Sequence, residues 1–205
     1  MVDTQVRPND VHDRRVIAAM GAVPREDFLP EAKRALAYTE RDLETLPGRW
    51  LWEARDFSKL IQAADVQEGD KVLDIAAGSG YSTEILRRLG AKVVALEELD
   101  AGLAALKARF EGAEDVSVVS GPLAQGAADS GPFDAIFVNG AVDVVPMNWL
   151  DQLVEGGRLT VIVREGDVGR ARVYTKAGAA TSWRTAFDAH VPMLPGFEKE
   201  EEFRL

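Results

Sequence analysis

The sequence predicts an α/β fold in a single domain: an open, mostly parallel sheet with helices on both faces, helices ahead of it and an antiparallel hairpin at its end. Three observations lead there. From Lys71 onward, short apolar runs alternate with helix-like ones, the pattern of parallel strands joined by crossover helices. The first of these strands ends in a glycine-rich turn that opens a helix. With 205 residues, 46% of them hydrophobic, the chain can bury one substantial core. Residues 1–66 form a mainly helical cap with a substrate-side loop, and residues 67–205 the α/β core.

Residues 10–21, DVHDRRVIAAMG, space Val11, Arg15, Ala18 and Ala19, with Val16, Ile17 and Met20, as a short helix that Gly21 stops. In VPREDFLPEAKRALAY (23–38) a second helix starts, with Pro30 or Glu31 in its first turn. EARDFSKLIQAADV (53–66) repeats Phe57, Leu60, Ile61 and Ala64 at the i, i+3, i+4, i+7 positions of an amphipathic helix. KVLDIA is then a strand, and STEILRRLG a helix with Ser82 as N-cap and Gly90 just past its C-cap. AKVVALE (91–97), DVSVVS (115–120) and FDAIFVNG (133–140) read as strands. DAGLAALKARF (100–110) and MNWLDQLVEGG (147–157) read as helices, with Trp149 in the core. The strand RLTVIV (158–163) precedes ARVYTKAG and TSWRTAFDA, two extended runs around a Gly-Ala turn.

Composition removes several function classes. There is no cysteine, so disulfide scaffolds, thiolate zinc sites and cysteine nucleophiles are excluded. A formal charge of -10 argues against nucleic acid as a partner, since phosphate capture needs a basic face. The Lys/Arg groups at 164–176 and at Arg14-Arg15 are interspersed with acids and read as solvated faces. The acidic tail EKEEEF (198–203) reads as a solubilising end. MVDTQVRPND has neither a basic n-region nor an apolar h-region, and no apolar run approaches the roughly 20 residues of a membrane span. A cytoplasmic chain with no membrane partner is expected. His12 and His190 lack companion ligands, so no metal site is expected.

The chemistry sits in VLDIAAGSGYST (72–83). Glycines at a strand-to-helix turn let a ligand approach the backbone, and the N–H groups of the helix start can hold a carboxylate or phosphate. A tight structural turn and a dinucleotide cradle are the rivals. The dinucleotide fingerprint G-x-G-x-x-G/A fails, because counting from Gly78 its sixth place is Thr83. Glu97 and Glu98 close the next strand, where a carboxylate can accept both ribose hydroxyls of an adenosine; either can instead be a solvent-facing helix-start residue. Asp74, at its own strand's end, either contacts a ligand amino group or holds the loop.

AVPREDFLPEAKRALAY, LPGRW, KVLDIAAGSGYSTEIL, PFDAIFVNGA, LVEGGRLTVIV and HVPMLPGF together resemble, in order and spacing, the protein-L-isoaspartate (D-aspartate) O-methyltransferase family. The resemblance covers nearly the whole chain from Val23. It implies a Rossmann-like class I methyltransferase sheet of seven strands binding S-adenosylmethionine at the strands' C-terminal edge, with a protein or peptide carboxylate as methyl acceptor. Asp74, Gly78, Ser79 and Gly80 match the cofactor loop, and Glu97, with Glu98 beside it, matches the ribose carboxylate.

Three positions depart from the family's pattern. Ala76 stands for its first loop glycine. Gly121-Pro122-Leu123 stands for the Gly-Asp-Gly that helps hold adenine, and Pro122 offers no N–H donor. RWLWEA (49–54) stands for Q-T-I-S-Q-P, so Trp52 replaces the serine that helps position the substrate carboxylate. Methyl transfer to a carboxylate rests on alignment and desolvation more than on a strong base, so losing a positioning hydroxyl matters. Weak or absent isoaspartyl repair activity is expected. Trp50 and Trp52 share a face if the loop is extended, either as an aromatic platform flanked by an anion clamp of Arg49 and Arg55, or as core packing. Asp143 lies at the substrate mouth or in a solvated loop. The leading reading is a divergent family member; a catalytically silent binding protein is the alternative, and a nicotinamide-dependent oxidoreductase a distant third.

Overall fold

β-branched and aliphatic residues dominate Lys71–Ile75 (β3), Lys92–Glu97 (β4), Val116–Ser120 (β5) and Phe133–Val142 (β6), which pair in parallel in a computed structural model describing residues 1–178 and 180–199. Residues 200–203 of the acidic tail lie outside the described residues. Leu153–Glu165 (β7) continues the parallel sheet beside β6. Val168–Ala177 (β8) and Ala180–Ala189 (β9) then add antiparallel strands, giving the seven-stranded order β5-β4-β3-β6-β7-β8-β9. The order reverses at β3, whose neighbours are β4 on one side and β6 on the other. In parallel sheets ligands bind in the crevice that such a reversal opens beyond the strands' C-terminal ends.

Both faces of the central strands are covered, which is why they read as near-continuous apolar runs. Val72, Val93, Phe137 and Ile162 point into one buried cluster, shared with Ala54–Ala64 (α2) and Tyr81–Arg88 (α3). Leu73, Leu96, Ile136 and Val161 point into the other, closed by Trp149 of Met147–Asp151 (α5). Asp100–Arg109 (α4) connects β4 to β5.

The structure corrects the sequence-based boundaries in five places. The first helix, α1, spans Arg14–Ala22, capped by Asp13, whose side chain accepts the Arg15 N–H; Gly21 lies inside it. The segment 23–38 forms two 3-10 turns, Arg25–Phe28 and Glu31–Leu36, with Pro30 as N-cap of the second. Leu43–Leu46 (β1) and Arg49–Leu51 (β2) form an antiparallel hairpin in the region read as mainly helical. Its turn is Pro47-Gly48, with Gly48 at φ +70°. α3 is capped by Gly80 at φ +89°, and Ser82 sits within the helix, its hydroxyl turned to Asp74. α5 stops at Asp151 because Leu153 already pairs with Phe133. Gly90, at φ +92°, does follow the C-cap of α3, and Trp149 is fully buried.

Candidate functional site

Asp74 reaches the C-terminal end of β3 with no solvent exposure. Its Oδ2 accepts the hydroxyls of Ser82 (2.8 Å) and Thr83 (2.6 Å), and its Oδ1 accepts Nδ2 of Asn139 on β6 (2.7 Å). Burial pushes its carboxyl up to about 6, against the pull of those three donors and with the charge of Glu97 adding to the rise. Every polar contact of Asp74 is thus internal, and it ties β3, α3 and β6 together.

The turn after β3 is shaped by the chain's own packing. Ala76 adopts φ +59°, a left-handed conformation that glycine enters freely and alanine only under constraint. Gly78 (φ +55°) leaves space for the arm of Arg49: a Cβ there would stand 3.2 Å from the Arg49 Cβ. Gly80 is fixed by α4, since its Cβ would meet a Phe110 ring carbon at 2.9 Å. Ser79 is half-buried beside them.

Glu97 ends β4 fully buried, and Arg49 of β2 reaches across to it. Arg49 Nε donates to Glu97 Oε2 at 2.9 Å and Nη2 to Oε1 at 2.7 Å. Oε2 also accepts the Gly78 N–H (3.0 Å), and Oε1 those of Glu98 (2.8 Å) and Leu99 (3.0 Å). Burial alone would raise the Glu97 carboxyl; the Arg49 hydrogen bonds and charge, with the two strand-end N–H groups, outweigh it and hold it below the usual carboxylate range. Glu98 is more open, with one oxygen 3.4 Å from Arg49 Nη2 and the other accepting the Leu123 N–H at 3.3 Å. Pro122 caps the turn that buries Leu123, whose carbonyl accepts the Trp149 indole N–H.

The two tryptophans separate. Trp52 lies just past β2, 2% exposed, packed against Phe57 and Phe137 with ring centroids 6.4 Å from each. Trp50 is half-buried opposite Glu44. They form no shared platform, and the arginine clamp is not assembled: Arg49 is committed to Glu97, and Arg55 to Asp56 and Glu53. The cavity bounded by Arg49, Trp52, Gly78, Tyr81 and Asn139 has a volume of about 20 Å³. That holds about one water, whereas small-molecule sites run to roughly 300 Å³ or more. While Arg49 holds both of its oxygens, Glu97 has no acceptor free for a ligand hydroxyl.

Sequence reasoning missed two participants. Arg25 is buried, donates to the carbonyls of Ala37 and Trp52, and stacks 5.1 Å from the Tyr81 ring centroid. Asn139 is the second, and its signal was a polar residue within the apolar run AIFVNGAV of β6. Asp143 is paired through both oxygens with Arg164. His12 and His190 use their backbone N–H groups on Gln62 and Asp56, and no cluster of metal-ligating side chains occurs among the described residues.

Residues 1–197 match the model of a family described as protein-L-isoaspartate (D-aspartate) O-methyltransferase. The chain belongs to this family. It is 34% identical over 199 residues to the protein-L-isoaspartate O-methyltransferase of Koribacter versatilis, covering 95% of this chain and 89% of that one. To the enzyme of the same name from Roseiflexus castenholzii it is 37% identical over 165 residues, covering 80% and 75%. Among solved structures, a protein-L-isoaspartate O-methyltransferase aligns with TM-score 0.82 at 24% identity over 96% of this chain and 66% of that one. A Plasmodium falciparum structure, described as a protein-L-isoaspartate O-methyltransferase in complex with S-adenosyl-L-homocysteine, aligns at TM-score 0.80 and 20% identity over 94% and 95%. The fold is that of the class I S-adenosylmethionine-dependent methyltransferases. Trp52 thus stands just past β2 as a core side chain, and Arg49 occupies the space before Glu97.

Proposed function

We propose that this chain is an S-adenosylmethionine-dependent methyltransferase of the isoaspartate family, acting on a protein or peptide acceptor in the cytoplasm, with little turnover of isoaspartyl residues. Membership of the family along residues 1–197 carries the reading. The frame of Asp74, Gly78, Gly80 and Glu97 around the order reversal at β3 supports it. No helix among the described residues is long and apolar enough to cross a membrane.

Low isoaspartyl turnover follows from Trp52. A buried indole offers a single N–H, packed between Phe57 and Phe137, where the family pattern has a small hydroxyl. Losing that positioning group costs about 10²-fold in rate when the acceptor is misplaced by an ångström. The experiment is methylation of an isoaspartyl peptide with labelled S-adenosylmethionine, beside a family member that carries the serine loop. Turnover about 10²-fold lower is expected; comparable turnover would refute the reading. The saturation of Glu97 favours a second reading, a binding protein without catalysis, and methylation of any protein in a cell extract would dispose of it.

A further inference from the structure

We propose that Arg49 is a tethered occupant of the ribose position, so that the β1–β2 hairpin latches the cofactor crevice shut and a nucleoside reaches Glu97 only by displacing it. The inference rests on the reading above that this chain uses S-adenosylmethionine. A carboxylate at this strand end binds ribose by accepting two vicinal hydroxyl donors. The Arg49 guanidinium presents the same thing, two donors side by side, Nε and Nη2, one to each oxygen of Glu97 at 2.9 and 2.7 Å. Three backbone N–H groups bring the total to five donors on about four lone-pair sites. No acceptor capacity is left for a diol while Arg49 stays.

Two further observations agree. The missing side chain of Gly78, which would let a ligand approach the turn, instead admits the Arg49 arm, 3.2 Å from where a Cβ would lie. Beside the Arg49 arm, the cavity between the hairpin and the turn after β3 is down to about 20 Å³. The latch is also separate from the main sheet. β1 and β2, four and three residues long, form a two-stranded sheet of their own, so no ladder hydrogen bond of the seven-stranded sheet holds Arg49 in place. An ionised buried carboxylate left bare is costly. Arginine therefore leaves as a diol arrives, and the two compete for one group.

The test is calorimetric titration of the wild type, Arg49→Ala and Arg49→Gln with S-adenosylhomocysteine, and with adenosine beside 2′,3′-dideoxyadenosine. Arg49→Gln serves if the alanine variant does not fold, as read by circular dichroism. At least tenfold tighter binding of S-adenosylhomocysteine and adenosine by the variant is expected, with no gain for the dideoxy compound. An equal gain for the dideoxy compound overturns the proposal, because Arg49 would not then be standing in for the diol. Micromolar binding by the wild type that the variants leave unchanged or weaken overturns the latch while sparing the methyltransferase reading. Absence of binding to any folded form at millimolar ligand overturns both.

Discussion

Replacing Asp74 with asparagine isolates one buried titration. In the folded protein its carboxyl takes up a proton near pH 6, against an ordinary value of 3.8. The folded state therefore binds that proton more tightly than the unfolded chain does. Its stabilising effect is complete below the unfolded value and is lost as pH rises through about 6. The gap corresponds to about 3 kcal/mol. Asp74→Asn keeps an acceptor for Asn139 or for the Ser82 and Thr83 hydroxyls but removes the titration. Asp42, Asp56 and Glu53, whose carboxyls burial also raises, act alike in both proteins and cancel. Urea unfolding of both proteins between about pH 4 and about pH 7 reads the difference. The stability of the variant relative to wild type should rise by about 2 kcal/mol across that range, because part of the effect is already present at about pH 4. A difference that stays flat with pH would show that the three donors, and not burial, govern Asp74.

Two further substitutions test the region around the crevice. Trp52→Ala should destabilise by about 3–5 kcal/mol in denaturant unfolding, since it empties a fully packed site between Phe57 and Phe137; a loss below about 1 kcal/mol would mean that the indole is not core. Arg49→Met alone should cost about 3 kcal/mol by stranding Glu97, while Arg49→Met with Glu97→Gln should recover at least about 1 kcal/mol; additive losses would show the pair uncoupled.

The parallel core was legible because β3, β4 and β6 are buried on both faces and carry unbroken apolar runs, and because glycine turns punctuate them. α5 was overextended for a physical reason: Trp149, Leu150 and Leu153 keep helical spacing, yet Leu153 pairs with Phe133 across the sheet, and that partner lies twenty residues earlier. The β1–β2 hairpin escaped because three- and four-residue strands are too short for a period, although Pro47-Gly48 is a turn signal. Asp74 and Glu97 could be placed at strand ends, and Gly78 and Gly80 in the turn after β3, from the pattern of apolar runs and glycines. The pairing of Arg49 with Glu97 could not. Its partner lies 48 residues away, and only the direction in which the hairpin crosses the sheet brings them together.

The contacts of Asp74 also differ greatly in the length of chain they close. Ser82 and Thr83 lie 8 and 9 residues from Asp74, whereas Asn139 lies 65 away. The first two donors arrive with a short loop closure, the third only after β4, α4 and β5 have been traversed and β6 docks. A fragment holding β3 and α3 without β6 therefore carries a carboxylate with one oxygen unpaired and open to water. Docking β6 supplies the missing amide. The bond thus rewards completion of the sheet and gives the β3–α3 unit little stability of its own.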